Sequence, residues 1–102
     1  MKRKNKATNP RAVKLRKSAG AWLKRLRLER SLTQRELAEQ IKLKYYTFVS
    51  QIENGQGRVP ADMYEAYAKA LGVEKVEFVK QCLRYYDPHT YDALFGPQSR
   101  AA

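Results

Sequence analysis

The chain has 102 residues, enough for one ordinary domain, and its apolar stretches fall far short of the ~20 residues that a membrane-spanning helix needs. No apolar signal core follows its basic start, and a single cysteine, Cys82, with a single histidine, His89, excludes an internal disulfide and a clustered metal site. We therefore expect a cytoplasmic protein that carries no metal or other cofactor. Its net charge of +11 points to a polyanionic partner.

The positive charge is concentrated at the start of the chain. Residues 1–30 hold twelve basic side chains and one acid, Glu29, whereas the remaining residues hold nine of each sign. Folding alone does not require this asymmetry, and nucleic acid is the first candidate partner, before an anionic membrane or an acidic protein. Residues 1–9 contain almost nothing to bury and are predicted to form a flexible basic arm. The arm's charged residues are Lys2, Arg3, Lys4 and Lys6.

A first helix is predicted after the arm, with Thr8 or Asn9 as its cap and Pro10 in its first turn. Apolar residues then recur at helical spacing: Leu15, Ala19, Trp22, Leu23 and Leu26. Gly20 interrupts this run, so either one helix tolerates the glycine at a cost of roughly 1 kcal/mol or a new helix begins with Ser18 as its cap. We favour a break or bend near Ser18.

Two short helices joined by a tight turn are predicted between residues 33 and 54. Thr33 and Glu36 have the spacing of a capping box, which begins a helix whose apolar side is Leu37, Ala38 and Ile41. Residues 42–45 form the turn. The next helix runs from Tyr46 to Glu53, buries Val49 and Ile52 with Phe48 beside them, and stops at Asn54-Gly55.

A fourth helix is predicted to begin at Pro60 and end at Gly72, and a fifth to run from about Glu74 to Tyr86. Apolar residues cover more of the fifth helix than one core-facing stripe requires, so part of it is expected to face a partner. The surface assigned to that partner comprises Phe78, Cys82, Tyr85 and Tyr86. Residues 87–102 are predicted to be a partly disordered extension with at most one short helical turn at 91–95. The chain contains no sustained strand-type alternation, so the predicted fold is all-α.

Several short motifs resemble one family when taken together. They are the octapeptides of residues 33–40 (TQRELAEQ) and 48–55 (FVSQIENG) and the pentapeptide of residues 68–72 (AKALG). In order and spacing they are similar to the phage-repressor and Cro-like (Xre-type) helix-turn-helix proteins over residues 20–72. One departure is that the segment from Ile41 to Glu53 is one residue longer than usual in the family, and Lys42 stands where glycine is common. The resemblance implies a five-helix lambda-repressor-like domain over residues 10–86, with its helix-turn-helix at 33–54.

The helix from Tyr46 to Glu53 has the pattern of a DNA-reading helix. The ~12 Å major groove accepts a helix, which then needs polar side chains on one face and apolar anchors on the other. With Val49 and Ile52 as the anchors, the predicted base-reading residues are Tyr46, Thr47, Ser50 and Gln51. Gln51 has the groups for a bidentate pair with adenine. The alternatives are an ordinary solvated surface and, for Tyr45 and Tyr46, packing against the first helix.

Phosphate contacts are expected around this helix. Gln34 stands at the amino end of the second helix, where free N–H groups attract an anion, and the resemblance implies a backbone contact there. Asn54, at the end of the third helix, is placed near the opposite phosphates. The full set of predicted phosphate contacts is Gln34, Arg35, Lys44, Tyr45, Asn54 and Arg58. Glu53 is expected to pair with a basic residue of the first helix, as the family resemblance implies. The basic arm either wraps the duplex or attracts it without specificity.

These patterns favour a transcription regulator that binds an inverted-repeat operator in double-stranded DNA as a homodimer, through the fifth helix and the carboxyl-terminal segment. The sequence has no paired carboxylates and no nucleophile beside a base, so an enzyme is not expected. The main alternative is an antitoxin-type protein that binds a protein partner through its carboxyl-terminal half and represses its own operon. Binding of RNA or of a membrane is disfavoured, because no sheet displays aromatic residues and no helix has a large enough apolar face.

Overall fold

A computed structural model describes residues 9–96, and this part of the chain is all-α, as predicted. The elements in chain order are α1 (Pro10–Glu29), α2 (Gln34–Gln40), α3 (Thr47–Glu53), a short 3₁₀ turn (Ala61–Met63), α4 (Tyr64–Leu71), α5 (Lys75–Tyr86) and α6 (Pro88–Phe95). The predicted basic arm, with Lys2, Arg3, Lys4 and Lys6, and residues 97–102 lie outside the described residues. None of the helices within 9–96 is long and apolar enough to cross a membrane.

The first helix is continuous, so the predicted break near Ser18 is wrong. The helix begins where expected, because the Asn9 side chain accepts hydrogen bonds from the Arg11 and Ala12 amides and Pro10 occupies the first turn. Gly20 does not break the helix but lies where α1 contacts α3. A Cβ placed on Gly20 would lie 2.2 Å from the carbonyl oxygen of Glu53, so glycine allows the backbones of α1 and α3 to meet.

A shared core holds the helix-turn-helix unit against the rest of the fold. Leu37 of α2 and Val49 and Ile52 of α3 are buried, as predicted, together with Leu23 of α1 and Tyr67 of α4. The predicted capping box begins α2: the Thr33 hydroxyl accepts from the Glu36 amide, and the Glu36 carboxylate accepts from the Thr33 amide. Burial of one face of α3 leaves its other face available.

The fifth helix has two apolar stripes: an inner one with Phe78 and Cys82, and an outer one with Val76, Val79 and Leu83. The role predicted for the inner stripe is wrong. Phe78 and Cys82 were predicted to form a partner surface, but both are fully buried in the core, where Trp22 of α1 stacks on Phe78 with ring centroids 5.4 Å apart. Tyr85 and Tyr86 are half-buried against Trp22 and Arg58. Burial also raises the pKa of the Cys82 thiol to about 12, so this cysteine is an unreactive packing residue.

The described chain has six α-helices, one more than predicted. The additional helix, α6, begins with Pro88 in its first turn, and the Asp87 carboxylate accepts a hydrogen bond from the Thr90 amide. It packs back against α5 and is longer than the short turn predicted at 91–95. This packing places Leu94 and Phe95 beside the outer stripe of α5.

Candidate nucleic-acid interface

The two faces of α3 differ sharply in exposure. Thr47 and Gln51 are exposed, Tyr46 is 40% exposed and Ser50 is half-buried, while Val49 on the opposite face is fully buried. The structure therefore brings together the four residues predicted to read bases on the outer side of this helix. The helix begins at Thr47, one residue later than predicted, and Tyr46 precedes it as the N-cap without a side-chain capping bond.

The carboxyl end of α3 is fixed by a buried ion pair. Arg27 Nε and Nη2 donate to the two carboxylate oxygens of Glu53 over 2.7 and 3.0 Å, and Arg27 Nη1 donates to the Leu32 carbonyl over 2.7 Å. Gln34 Nε2 donates to the same carboxylate over 3.1 Å. The predicted pairing of Glu53 with a basic residue of the first helix is thus confirmed. Because Arg27, Gln34 and Glu53 belong to three helices, this network sets the position of α3 relative to α1 and α2.

The turn between α2 and α3 contains a lysine in a conformation that favours glycine. Lys42 has φ of +63°, and the amides of Lys42 and Leu43 donate to the carbonyls of Glu39 and Ala38 over 3.2 and 2.8 Å. This is the hydrogen-bond pattern of a Schellman helix end. The same pattern follows α3, where Gly55 has φ of +81°. The turn thus keeps the backbone shape that glycine favours, although the residue there is lysine.

Two tyrosines and two cations gather at the amino end of α3. The Arg35 guanidinium lies 4.7 Å from the ring centroid of Tyr46, and the Lys44 ammonium lies 5.5 Å from that of Tyr45. Tyr45 is 65% exposed. Both tyrosines therefore contact neighbouring cations of the α2–α3 unit, and the predicted phosphate contacts Arg35, Lys44 and Tyr45 share one surface beside the exposed face of α3.

The loop after α3 contains Asn54, which is exposed as predicted, and Arg58, which is not a free surface cation. Arg58 Nη2 donates to the Tyr64 hydroxyl over 2.6 Å, and the Arg58 guanidinium stacks 4.5 Å from the ring centroid of Tyr86. The Tyr86 hydroxyl in turn accepts a hydrogen bond from the Val59 amide. The guanidinium is thus committed to internal contacts, which argues against the phosphate contact predicted for Arg58.

One cation near the interface was missed by the sequence reasoning. Lys17 of α1 packs against Gly55, where an added Cβ would lie 2.8 Å from Lys17 Cγ. Gly55 directly follows Asn54, so α1 brings a lysine to the carboxyl end of α3. The only signal of this in the sequence is the excess of basic residues in 1–30, which does not say which of them meet α3.

Comparisons with known proteins agree with this geometry. A helix-turn-helix family model matches residues 23–78, more than half of the chain. A structure of the clp gene regulator ClgR from C. glutamicum is 26% identical with a TM-score of 0.57, covering 71% of this chain and 91% of that one. The wild-type restriction-modification controller protein C.Esp1396I is 28% identical with a TM-score of 0.56, covering 70% and 90%. A variant of that controller protein is 30% identical with a TM-score of 0.56, covering 69% and 87%.

A search of curated proteins gives no significant match. The family model and the solved structures nevertheless agree on one assignment, and this assignment confirms the resemblance that the sequence motifs suggested. The chain belongs to the Xre-like helix-turn-helix family of DNA-binding transcription regulators and has the lambda-repressor-like fold.

Proposed function

We propose that this protein reads a specific sequence in double-stranded DNA by placing α3 in the major groove, and that it thereby regulates transcription from a cytoplasmic location. The observation that carries the proposal is the division of α3 into a buried apolar face and an exposed polar face. A helix held in this way presents its polar side chains to base edges without uncovering its anchors. The likeness to a gene regulator and to a controller protein supports the same role.

Individual roles follow from the chemistry of the exposed side chains. Gln51 offers an amide for a bidentate pair with adenine, and Tyr46 and Thr47 offer apolar contact with a thymine methyl group. Ser50, half-buried, completes the reading face. The proposed phosphate contacts are Gln34, Arg35, Lys44, Tyr45 and Asn54, and we add Lys17 because it lies beside Gly55. For Gln34 the proposed contact uses its backbone N–H, since its side-chain amide donates to Glu53. The arm residues Lys2, Arg3, Lys4 and Lys6 are proposed to add charge along the duplex.

Selection of bound duplexes from a random pool at physiological salt tests this proposal. A defined consensus is expected for the wild-type protein. Gln51→Ala should weaken specific binding by roughly 1 to 3 kcal/mol and relax the preference at one base position. Gln40→Ala is the matched control, because Gln40 is an exposed glutamine at the end of α2 that borders α4 and not α3. Unchanged base preference in Gln51→Ala would show that the reading register is wrong.

The arm is tested separately by its electrostatic signature. Deletion of residues 2–6 should weaken binding to all duplexes and reduce the dependence of affinity on salt. The reason is that each phosphate contact releases about one counterion on binding, so fewer contacts release fewer counterions. Equal affinity of the deleted and complete chains at every salt concentration would exclude the arm from the interface.

We also propose a homodimer that binds an inverted repeat with half-sites about 34 Å apart. The proposed dimer surface is the outer stripe of α5 with the end of α6, and it replaces the buried residues predicted from the sequence. Val76 is 60% exposed and Leu94 is 58% exposed. The apolar groove between them is lined by Lys75, Val76, Val79, Lys80, Leu83, Leu94 and Phe95. Exposed apolar residues grouped in this way are typical of an association surface.

Analytical ultracentrifugation at micromolar concentration tests the dimer. The wild-type protein should sediment above its 11.9 kDa monomer mass, and Leu94→Glu should return it to that mass. Leu28→Glu is the control, because Leu28 is similarly exposed but lies on α1, away from the groove. A wild-type monomer would instead favour the alternative in which this groove docks another protein, as in an antitoxin-type regulator.

A further inference from the structure

A groove lies between the start of α1 and the junction of α5 with α6, and both of its walls lie outside the family-matched residues 23–78. It has a volume of about 190 Å³, and the lining residues used below are Arg11, Leu15, Arg16, Tyr85, Tyr86 and His89. We propose that this groove binds a small aromatic carboxylate and that its occupancy is communicated to the loop that follows α3.

The charge of the groove favours an anion. Arg11 and Arg16 line it, and none of its lining residues among those that the structure describes is acidic. Within residues 9–96 neither guanidinium has a hydrogen-bond or ion-pair partner, although Arg16 is half-buried. The other half-buried or buried arginines of the described segment, Arg27 and Arg58, both have hydrogen-bond partners. A partly desolvated guanidinium without a partner gains most from a planar carboxylate, which matches its donor geometry.

The size and apolar content of the groove favour one aromatic ring. Leu15, Tyr85 and Tyr86 line the groove beside the two arginines, so an aliphatic and two aromatic residues supply its apolar surface. A volume of about 190 Å³ equals that of roughly six water molecules at ~30 Å³ each. That space accommodates a single ring bearing a carboxylate, whereas an inorganic anion would leave the aromatic walls without contact.

Tyr86 connects the groove with the candidate DNA interface. Tyr86 lines the groove, and the Arg58 guanidinium lies 4.5 Å from the centroid of its ring. The Tyr86 hydroxyl accepts a hydrogen bond from the Val59 amide over 3.3 Å. Arg58 and Val59 belong to the loop that follows α3. A ligand that shifts Tyr86 therefore acts on this loop, and the effect on DNA affinity rests on the function proposed above.

Benzoate is a suitable probe, and Trp22 provides the signal. Trp22 is the only tryptophan of the chain, and its ring centroid lies 5.6 Å from that of Tyr85 in the groove wall. Titration of the complete chain with benzoate should change Trp22 fluorescence saturably, with half-saturation at or below about 1 mM. Benzamide, which has the same shape without the charge, and inorganic phosphate, which has charge without a ring, should each bind at least about tenfold more weakly. Equal binding of either compound would overturn the proposed ligand class.

Matched variants locate the site. Arg16→Gln should weaken benzoate binding at least about tenfold, whereas Arg25→Gln, on the same helix but outside the groove, should leave it unchanged. Circular dichroism on each variant confirms that the fold is retained. Unchanged benzoate affinity in Arg16→Gln, or no saturable signal from the wild-type protein, would overturn the site.

The coupling is measured with the duplex recovered by selection. Saturating benzoate should change the affinity of the wild-type protein for this duplex at least about threefold. Arg58→Met, which removes the guanidinium that stacks on Tyr86, should abolish that change. If benzoate binds but DNA affinity stays constant, the coupling is wrong and the groove remains a ligand site. A chain that binds no DNA would overturn the proposed function and the coupling, whereas the fluorescence titration would still decide the site.

Discussion

The two ends of α3 are held in different ways. At the carboxyl end, Glu53 is buried, pairs with Arg27 through two hydrogen bonds, and meets Gly20 backbone to backbone. At the amino end, Tyr46 has no side-chain capping bond, and Tyr45 lies 65% exposed beside Lys44. Two of the four proposed base contacts, Tyr46 and Thr47, thus lie at the end with fewer fixed interactions. A reading helix anchored at one end keeps its placement while side chains at the other adjust to base edges.

The largest expected effect comes from removing the anchor at the carboxyl end. Arg27→Met leaves the Glu53 carboxylate buried without its main partner, so the free energy of unfolding should fall by about 3 to 5 kcal/mol. Urea denaturation followed by circular dichroism measures this change.

The double variant Arg27→Met with Glu53→Met separates a missing partner from a general loss of packing. Removing both charges should recover much of the lost stability, because the cost of the single variant is mainly an unpaired buried carboxylate. A double variant as unstable as Arg27→Met alone would mean that the ion pair is not what anchors this end of α3.

The next effect concerns the close approach of α1 to α3. In an isolated helix, Gly20→Ala would stabilise by about 1 kcal/mol. Here the new Cβ would lie 2.2 Å from the Glu53 carbonyl oxygen and 2.8 Å from that of Ile52. We therefore expect Gly20→Ala to lower the free energy of unfolding by about 1 to 3 kcal/mol. Gly57→Ala is the control, since nothing lies within 4 Å of a Cβ there. A melting temperature raised by Gly20→Ala would contradict the observed contact.

The ion pair of Glu53 and the close contact at Gly20 show which structural features sequence patterns predict and which they do not. The capping box of α2, the apolar anchors of α3 and the helix ends at Gly55 and Gly72 are local signals, and the structure bears them out. Gly20 has the same local signature as a helix break. Only its neighbour in space, the backbone of Glu53, shows that the glycine is there for close packing.

The fifth helix shows a second limit. Its periodicity indicates apolar residues around most of the circumference, but not which stripe faces the core. The positions of α1 and α4 decide this: Trp22 and Tyr67 stack on Phe78, so the stripe that holds Phe78 and Cys82 is buried. The face of α3 was predictable because its anchors and polar residues separate cleanly in sequence. The internal contacts of Arg58 were not predictable, since they depend on the distant Tyr86.

At the amino end of α3, the cation beside Tyr46 should contribute little to stability. Arg35→Ala removes the stacking at 4.7 Å, and the free energy of unfolding should fall by only about 0.5 to 1 kcal/mol, because the site is exposed. Arg25→Ala, an exposed arginine on α1, is the control. The double variant Arg35→Ala with Tyr46→Leu should lose less free energy of unfolding than the two single variants lose together. Strict additivity would show that the contact contributes nothing.

The smallest expected effect is a gain in stability at the turn before α3. Lys42 has φ of +63°, a conformation that costs a residue with a Cβ about 1 to 2 kcal/mol, and glycine removes this cost while adding about 0.4 to 1 kcal/mol of unfolded-state entropy. Lys42→Gly should therefore stabilise the fold by somewhat less than about 1 kcal/mol. Lys44→Gly, in the same turn but without a positive φ, should be neutral or destabilising. If both variants lower the denaturation midpoint, the left-handed turn is not strained.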